Sequence, residues 1–428
     1  MKFGQAKQWI YLLNLCIPIG ILSCSKEPMV KGDADAIVSP TSGTRFQFTL
    51  DSIYLYAKQM YLWNDALPDY TTFNPRIKYA GINPQLLAYE TELFDITQLK
   101  INPANSLPFE NALTANVAKY SYLANRGSTL SGLALAVANT NEVSGNPVAA
   151  VALLNAGDTK VGYIALSSFP SLANAQSYID AAFAQIAAAN SADIIIDLRS
   201  NRGGYIETAE YVANLLIPPA FNGKVMYNEQ FNSQMQQGKA TILQHQPYFD
   251  ANGKPVSYQG RLATMADVDY SEVGNTYTFS KKGNLSNLKN IYFIVSGQTA
   301  SASELLINCL RPYLNVKLIG STTYGKPVGF IGINIDEYTV FMSNFLIKNA
   351  ADNAGYFTGM QVDIPVVPDN LYELGNPEET CLKATINYIN TGQIPVAANS
   401  NMKRTTSLRE QATTVLPMVE RRFKLLKR

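Results

Sequence analysis

From Lys160 onward, short apolar runs alternate with segments of helical period, and this alternation restricts the fold more than any other feature of the chain. Val161 to Leu166 reads as a strand, and Leu172, Ala175, Ile179, Ala182, Phe183 and Ile186 mark one face of the helix after it. Ile194 to Ile196 is a short, fully apolar strand. Ile206 to Ile217 is a second helix, stopped by Pro218 and Pro219. Ile291 to Val295, a helix from Ser303, and Val316 to Ile319 continue the series. Buried strands alternating with helices predict an α/β fold: a mainly parallel sheet covered on both faces. Leu133 to Val137 and Val148 to Leu154 read as strands ahead of this core, and Phe330 to Leu346 as a hairpin appended to it.

The rest of the chain divides around that core. With 428 residues, two or three structural units are expected. Lys2 and Lys7 lead into the apolar run Trp9 to Ser23, too short to anchor in a bilayer but suited to an export signal over 1–23. Ile21-Leu22-Ser23-Cys24 resembles a bacterial lipoprotein cleavage box, which makes Cys24 the expected lipidation site and membrane attachment by a lipid anchor the expected partner contact. A polar tether over 24–44 precedes a mostly helical, Tyr-rich domain over 45–125. There Ile53, Tyr56, Ala57, Met60 and Tyr61 recur at helical spacing after Ser52, the expected N-cap, in a run that ends at Pro68. A strand pair is expected over 126–159 and the main domain over 160–395, interrupted at 218–289 by a polar insertion that suits a lid, part of a substrate cleft or a solvated insertion. Residues 396–428 form a basic tail, with eight Lys/Arg between Met402 and Arg428 against Glu410 and Glu420.

Composition removes several function classes. Thirty-four Lys+Arg against thirty-three Asp+Glu leaves no basic excess, so a nucleic-acid partner is not expected. A single histidine, His245, argues against a histidine-built metal site, and no cofactor is expected. Cys309 and Cys381 lie in apolar helical patterns and read as buried thiols rather than a disulfide. A Ser-His-Asp hydrolase would depend on His245 alone, inside the polar insertion.

A Ser-Lys pair is the other way to make a nucleophile. Lysine acts as a base only where burial or a nearby positive charge lowers its pKa. The strand Ile291 to Val295 leads into Thr299-Ala300-Ser301-Ala302-Ser303-Glu304, small residues opening a helix, where backbone N–H groups favour developing negative charge. The strand Val316 to Ile319 leads to Gly320-Ser321-Thr322-Thr323-Tyr324-Gly325-Lys326. Two neighbouring parallel strands would bring Ser301 and Lys326 to the same carboxyl edge of the sheet, where open α/β sheets carry their sites.

Ser301-Ala302-Ser303-Glu304 and Gly325-Lys326, twenty-five residues apart from Ser to Lys, resemble the nucleophile and base segments of the C-terminal processing (tail-specific) serine peptidases. Ile196-Asp197-Leu198-Arg199-Ser200-Asn201-Arg202-Gly203-Gly204 is similar to a third signature of that family, and Gln361 to Pro365 to its closing segment. The resemblance implies a ClpP/crotonase-like peptidase core, catalytic roles for Ser301 and Lys326, an oxyanion hole of the Gly203 and Ala302 amides, and a peptide or protein substrate. Arg199 reads equally well as an ion-pairing partner of Asp197. The sequence departs from the family in two places. Phe330 stands where many members have a Gln that orients the Lys, leaving Thr323 or Ser321 to hold it. The thirty residues between Gly132 and Gly162 are too few for the usual PDZ domain. A catalytically silent peptide- or ligand-binding lipoprotein and a crotonase-like acyl-CoA enzyme are the competing readings.

Overall fold

The computed structural model describes residues 39–112, 114, 116–126, 145–188, 191–250, 253–368, 371–394 and 423–427. The expected signal segment with Cys24, the strand at Leu133 to Val137, and the tail from 396 to 422 lie outside the described residues.

The first helix, α1 (Arg45–Met60), begins seven residues before the expected cap. Thr44 is its N-cap, in a reciprocal box with Gln47: the Gln47 amide donates to Thr44 Oγ1 and the Thr44 amide to Gln47 Oε1. Ser52 lies inside the helix, with its hydroxyl bonded back to the Phe48 carbonyl. After α2 (Gln85–Thr97) come β1 (Tyr122–Asn125), β2 (Val148–Ala156), β3 (Thr159–Leu166), α3 (Leu172–Ala187), β4 (Asp193–Asp197) and α4 (Ile206–Leu216). The chain continues through β5 (Val225–Phe231), β6 (Thr276–Thr278), β7 (Asn290–Val295), α5 (Ala302–Leu310), β8 (Asn315–Gly320), β9 (Val328–Ile335), β10 (Tyr338–Asn349), β11 (Ile364–Pro365) and α6 (Thr380–Thr391).

Two sheets organise these elements. The main sheet has the order β11-β8-β7-β4-β3-β2, parallel throughout except for β2, which returns antiparallel on β3 as an edge strand. Its central strands are apolar on both faces because helices or chain cover both: Ile194, Ile195, Ile196, Ile291, Phe293, Ile294 and Val295 are all 2% exposed or less. The second sheet has the order β6-β5-β10-β9, with β1 also paired to β10. Val225–Phe231 is therefore not part of a detached insertion but an internal strand of this sheet. The N-terminal helices dock against β10, where the Leu62 amide donates to the Ser343 carbonyl and Asn344 Nδ2 donates to the Met60 carbonyl. Cys309 and Cys381 are buried free thiols. No helix among the described residues is long and apolar enough to cross a membrane.

The main sheet's register fixes the location of the site. Asp197 at the end of β4 faces Ile294, and Val295 at the end of β7 faces Gly320 at the end of β8. Three turns therefore leave the sheet side by side at one edge: Leu198–Gly204, Ser296–Ser301 and Ser321–Lys326.

Candidate active site

The turn after β4 is locked first. Asp197 accepts bonds from Tyr163 Oη at 2.8 Å and from the Arg199 backbone amide and Nε at 3.1 and 3.0 Å. The Arg199 guanidinium continues to Glu379, the N-cap of α6, at 2.5 and 2.8 Å. Burial alone would raise the Glu379 pKa, but the Arg199 bonds and the helix amides it caps leave it below the ordinary carboxylate range. Arg199 is thus a structural clamp between the sheet and the C-terminal helix. Breaking such a buried pair from one side typically costs about 3–5 kcal/mol.

The turn after β7 is then laced to the first. Ser296 Oγ donates to the Arg199 carbonyl, Thr299 Oγ1 to the Leu198 carbonyl, and Ser303 Oγ to the Asn201 carbonyl. Gly203 lies against Ser301 at φ 97°, and a Cβ there would fall 2.9 Å from both Ser301 Cβ and the Ala300 carbonyl oxygen. Only glycine fits that approach. Ser301 itself has φ 62° and ψ −118°, a conformation non-glycine residues avoid. The strain sits at the strand-to-helix turn directly before α5, and all nine residues of that helix are buried.

Glu304 joins the second and third turns. Its Oε2 accepts the amides of Ser301 at 3.0 Å and of Lys326 at 2.8 Å. Its Oε1 accepts the Gly325 amide at 2.7 Å and Thr323 Oγ1 at 2.6 Å. Burial raises its pKa while these four donors pull it back. Behind Lys326, Gly325 at φ 87° lies so close to the Tyr356–Gly359 backbone that a Cβ would fall 2.4 Å from the Gly359 nitrogen. Tyr120 Oη bonds the Gly325 carbonyl from the N-terminal region.

Lys326 is 2% exposed, and its Nζ lies 4.5 Å from the centroid of the Phe330 ring. Burial lowers its pKa to about 7, against the opposing pull of Glu110 and Glu304. Glu110 is fully buried and accepts bonds from Tyr61 Oη, the Ser121 amide, Ser121 Oγ and Ser343 Oγ. Ser343 is the β10 partner of Phe330, so this carboxylate sits beside the ring that supports Lys326.

The expected catalytic and oxyanion residues all lie at this edge of the main sheet. The Ser301 and Lys326 amides share the Glu304 carboxylate, and no hydrogen bond joins Ser301 Oγ to Lys326 Nζ. Ala302 supplies the first amide of α5, where no intrahelical carbonyl exists to meet it. The Gly203 amide donates to Asn201 Oδ1 at 2.9 Å, while Asn201 Nδ2 is buried without a partner. Ser168 Oγ and Tyr356 Oη, on flanking segments, are likewise buried without partners. Thr323 holds Glu304 rather than Lys326, and Ser321 is exposed. His245 is exposed in the insertion, 3.3 Å from Gln244 Nε2. No three His, Cys, Asp or Glu side chains among the described residues are grouped to hold a metal ion.

Sequence reasoning missed Glu110 and gave Glu304 only as part of the nucleophile segment, without its role in joining the turns. Glu304 carries a signal, since Ser-x-x-Glu at a helix start is the capping-box pattern. Glu110 carries none, because it reaches the site only through the packing of α1 against β10.

No curated protein matches the chain. A crystal structure described as an S41 protease from Bacteroides fragilis is 22% identical, with 58% of each chain covered and a TM-score of 0.42. The chain thus spans less than two thirds of that protein's length. A structure described as the photosystem II D1 C-terminal processing protease is 14% identical, covering 76% of this chain and 94% of that one at a TM-score of 0.45. A peptidase from Parabacteroides merdae is 13% identical, covering 77% and 91% at a TM-score of 0.44. The model of peptidase family S41 matches residues 160–355, the segment that holds Gly203, Ser301, Glu304 and Lys326.

Proposed function

We propose that this chain hydrolyses peptide bonds with Ser301 as nucleophile and Lys326 as general base, acting on polypeptides in the bacterial cell envelope. The observation that carries the reading is the single Glu304 oxygen that accepts both the Ser301 and the Lys326 amides, which tethers a strained serine to a buried lysine of pKa about 7. Ser301 Oγ attacks the substrate carbonyl carbon as its proton passes to Lys326 Nζ. The Ala302 amide, and the Gly203 amide once it leaves Asn201 Oδ1, receive the oxyanion. Lys326 then returns the proton to the leaving amine, and the C–N bond breaks. Water attacks the acyl ester, gives its proton to Lys326, and the acid product departs as Ser301 regains its hydrogen.

A fluorophosphonate probe should phosphonylate the wild-type serine and spare Ser301→Ala. Equal labelling of the two proteins would remove Ser301 from the mechanism. An unlabelled wild type would favour a silent peptide-binding role on this scaffold, a reading that Phe330 beneath Lys326 supports.

For location, lipidation of Cys24 is the proposed anchor. Cys24→Ala should move the protein from the membrane to the soluble fraction while probe labelling persists. Continued membrane association of that variant would point to another attachment.

A further inference from the structure

The last described residues, Phe423 to Lys427, add an extended strand to the segment Gln246–Gly274. Leu425 bridges antiparallel to Val268. The Asp269 amide donates to the Lys424 carbonyl at 2.8 Å, and the Leu426 amide donates to the Asp267 carbonyl at 2.9 Å. Tyr248 Oη donates to the Phe423 carbonyl at 2.8 Å, and Tyr258 Oη donates to the Leu426 carbonyl at 3.0 Å. All four bonds engage the backbone of the strand, so they select an extended conformation rather than particular side chains. Side-chain selection comes at two points. The Phe423 ring meets Tyr270 at 6.5 Å between centroids, and Lys424 Nζ donates to the Gly274 carbonyl at 2.7 Å while lying 5.3 Å from the Tyr277 ring centroid.

The receiving surface is built independently of the strand. The Tyr248 amide bonds the Ala263 carbonyl, the Met265 amide bonds the Gln246 carbonyl, and Asp267 is fixed by Thr264 and a two-pronged Arg261 pair. With the strand in place Val268, Tyr270, Tyr248 and Met265 are all 8% exposed or less. Backbone groups of Asp267 and Asp269 that face the strand, and two tyrosine hydroxyls aimed at its carbonyls, are the parts of a site that reads peptide backbone.

We propose that this trough is a binding site for extended polypeptide segments in which an aromatic residue is followed by a basic one. Its resident ligand is the chain's own Phe423–Lys427 strand, and a segment of the same pattern supplied in trans displaces it. Because the strand belongs to the same chain, it competes intramolecularly with any segment supplied in trans. This inference does not rest on the hydrolytic reading, and its test measures binding alone.

The probe is a fluorescein-labelled peptide of the 421–428 sequence, followed by anisotropy. In full-length Leu426→Pro the tail loses the amide that bonds Asp267, so the trough should be vacated. That variant is expected to bind the probe saturably, and wild type at least about tenfold more weakly. A folded Leu426→Pro protein with no saturable binding, or equal binding by the two proteins, would overturn the proposal. Should Leu426→Pro fold poorly, hydrogen exchange on wild type decides. The Asp269 and Leu426 amides should exchange at least a hundredfold faster than the β7 amides, through detachment of the strand alone. Exchange of all these amides at one common slow rate would show a strand released only by global unfolding, and would equally overturn it.

Discussion

Replacing Lys326 by arginine should lower turnover of a denatured protein substrate by on the order of 10⁴-fold or more. A guanidinium stays charged throughout the accessible pH range and cannot take the serine proton. Lysine is suited to the task here because of where it is held. Burial disfavours its ammonium form, and the carboxylates of Glu110 and Glu304 only partly restore it, leaving the pKa at about 7. Lys326→Met, neutral and of similar length, should lose activity to the same extent while keeping the fold. Near-normal rates in either variant would reduce Lys326 to a structural group. The same depressed pKa bears on stability. Between about pH 7 and the ordinary lysine range the unfolded chain holds a proton that the folded one has shed. The contribution of this group therefore becomes more favourable to folding as pH rises across that window.

Glu304→Ala is expected to be the most damaging single change outside the reacting pair. It strands the amides of Ser301, Gly325 and Lys326 and the Thr323 hydroxyl in a dry interior, each at about 1–3 kcal/mol. That total approaches the whole stability of a typical domain. Glu304→Gln should be milder but still harmful, because its NH₂ group would point at N–H donors. In urea, the unfolding midpoint should fall in the order wild type, Gln variant, Ala variant, with labelling of Ser301 slowed in any Gln variant that stays folded. A Gln variant matching wild type in both midpoint and labelling rate would show that Glu304 neither tethers the two turns nor positions the serine.

The residues explain what was legible in the sequence. Ile194–Ile196 and Ile291–Val295 are buried on both faces, so their strand character is written as uninterrupted apolar runs. Their parallel order then places the Ser301 and Lys326 turns side by side. Val225–Phe231 was hidden because its inward row, Val225, Tyr227, Glu229 and Phe231, contains a glutamate that is fully buried, which breaks the alternation a half-buried strand should display. The start of α1 was misplaced because Ser52 is as good a cap by residue type as Thr44. What decides is the Gln47 side chain that completes the Thr44 box, whereas Ser52 has a helical carbonyl within reach. The Glu110 cluster and the strand at Phe423–Lys427 depend on contacts between segments far apart in sequence, which no local pattern encodes.

The most direct test of the Ser301–Lys326 account is the pH dependence of the fluorophosphonate labelling rate in wild type and in Lys326→Arg. With Lys326 as base, the wild-type rate should climb about tenfold per pH unit below 7 and level off above it, following the neutral lysine. The arginine variant should stay near background throughout. A wild-type rate that is flat across this range, or a variant that reproduces the wild-type profile, would contradict the assignment of Lys326 as the base.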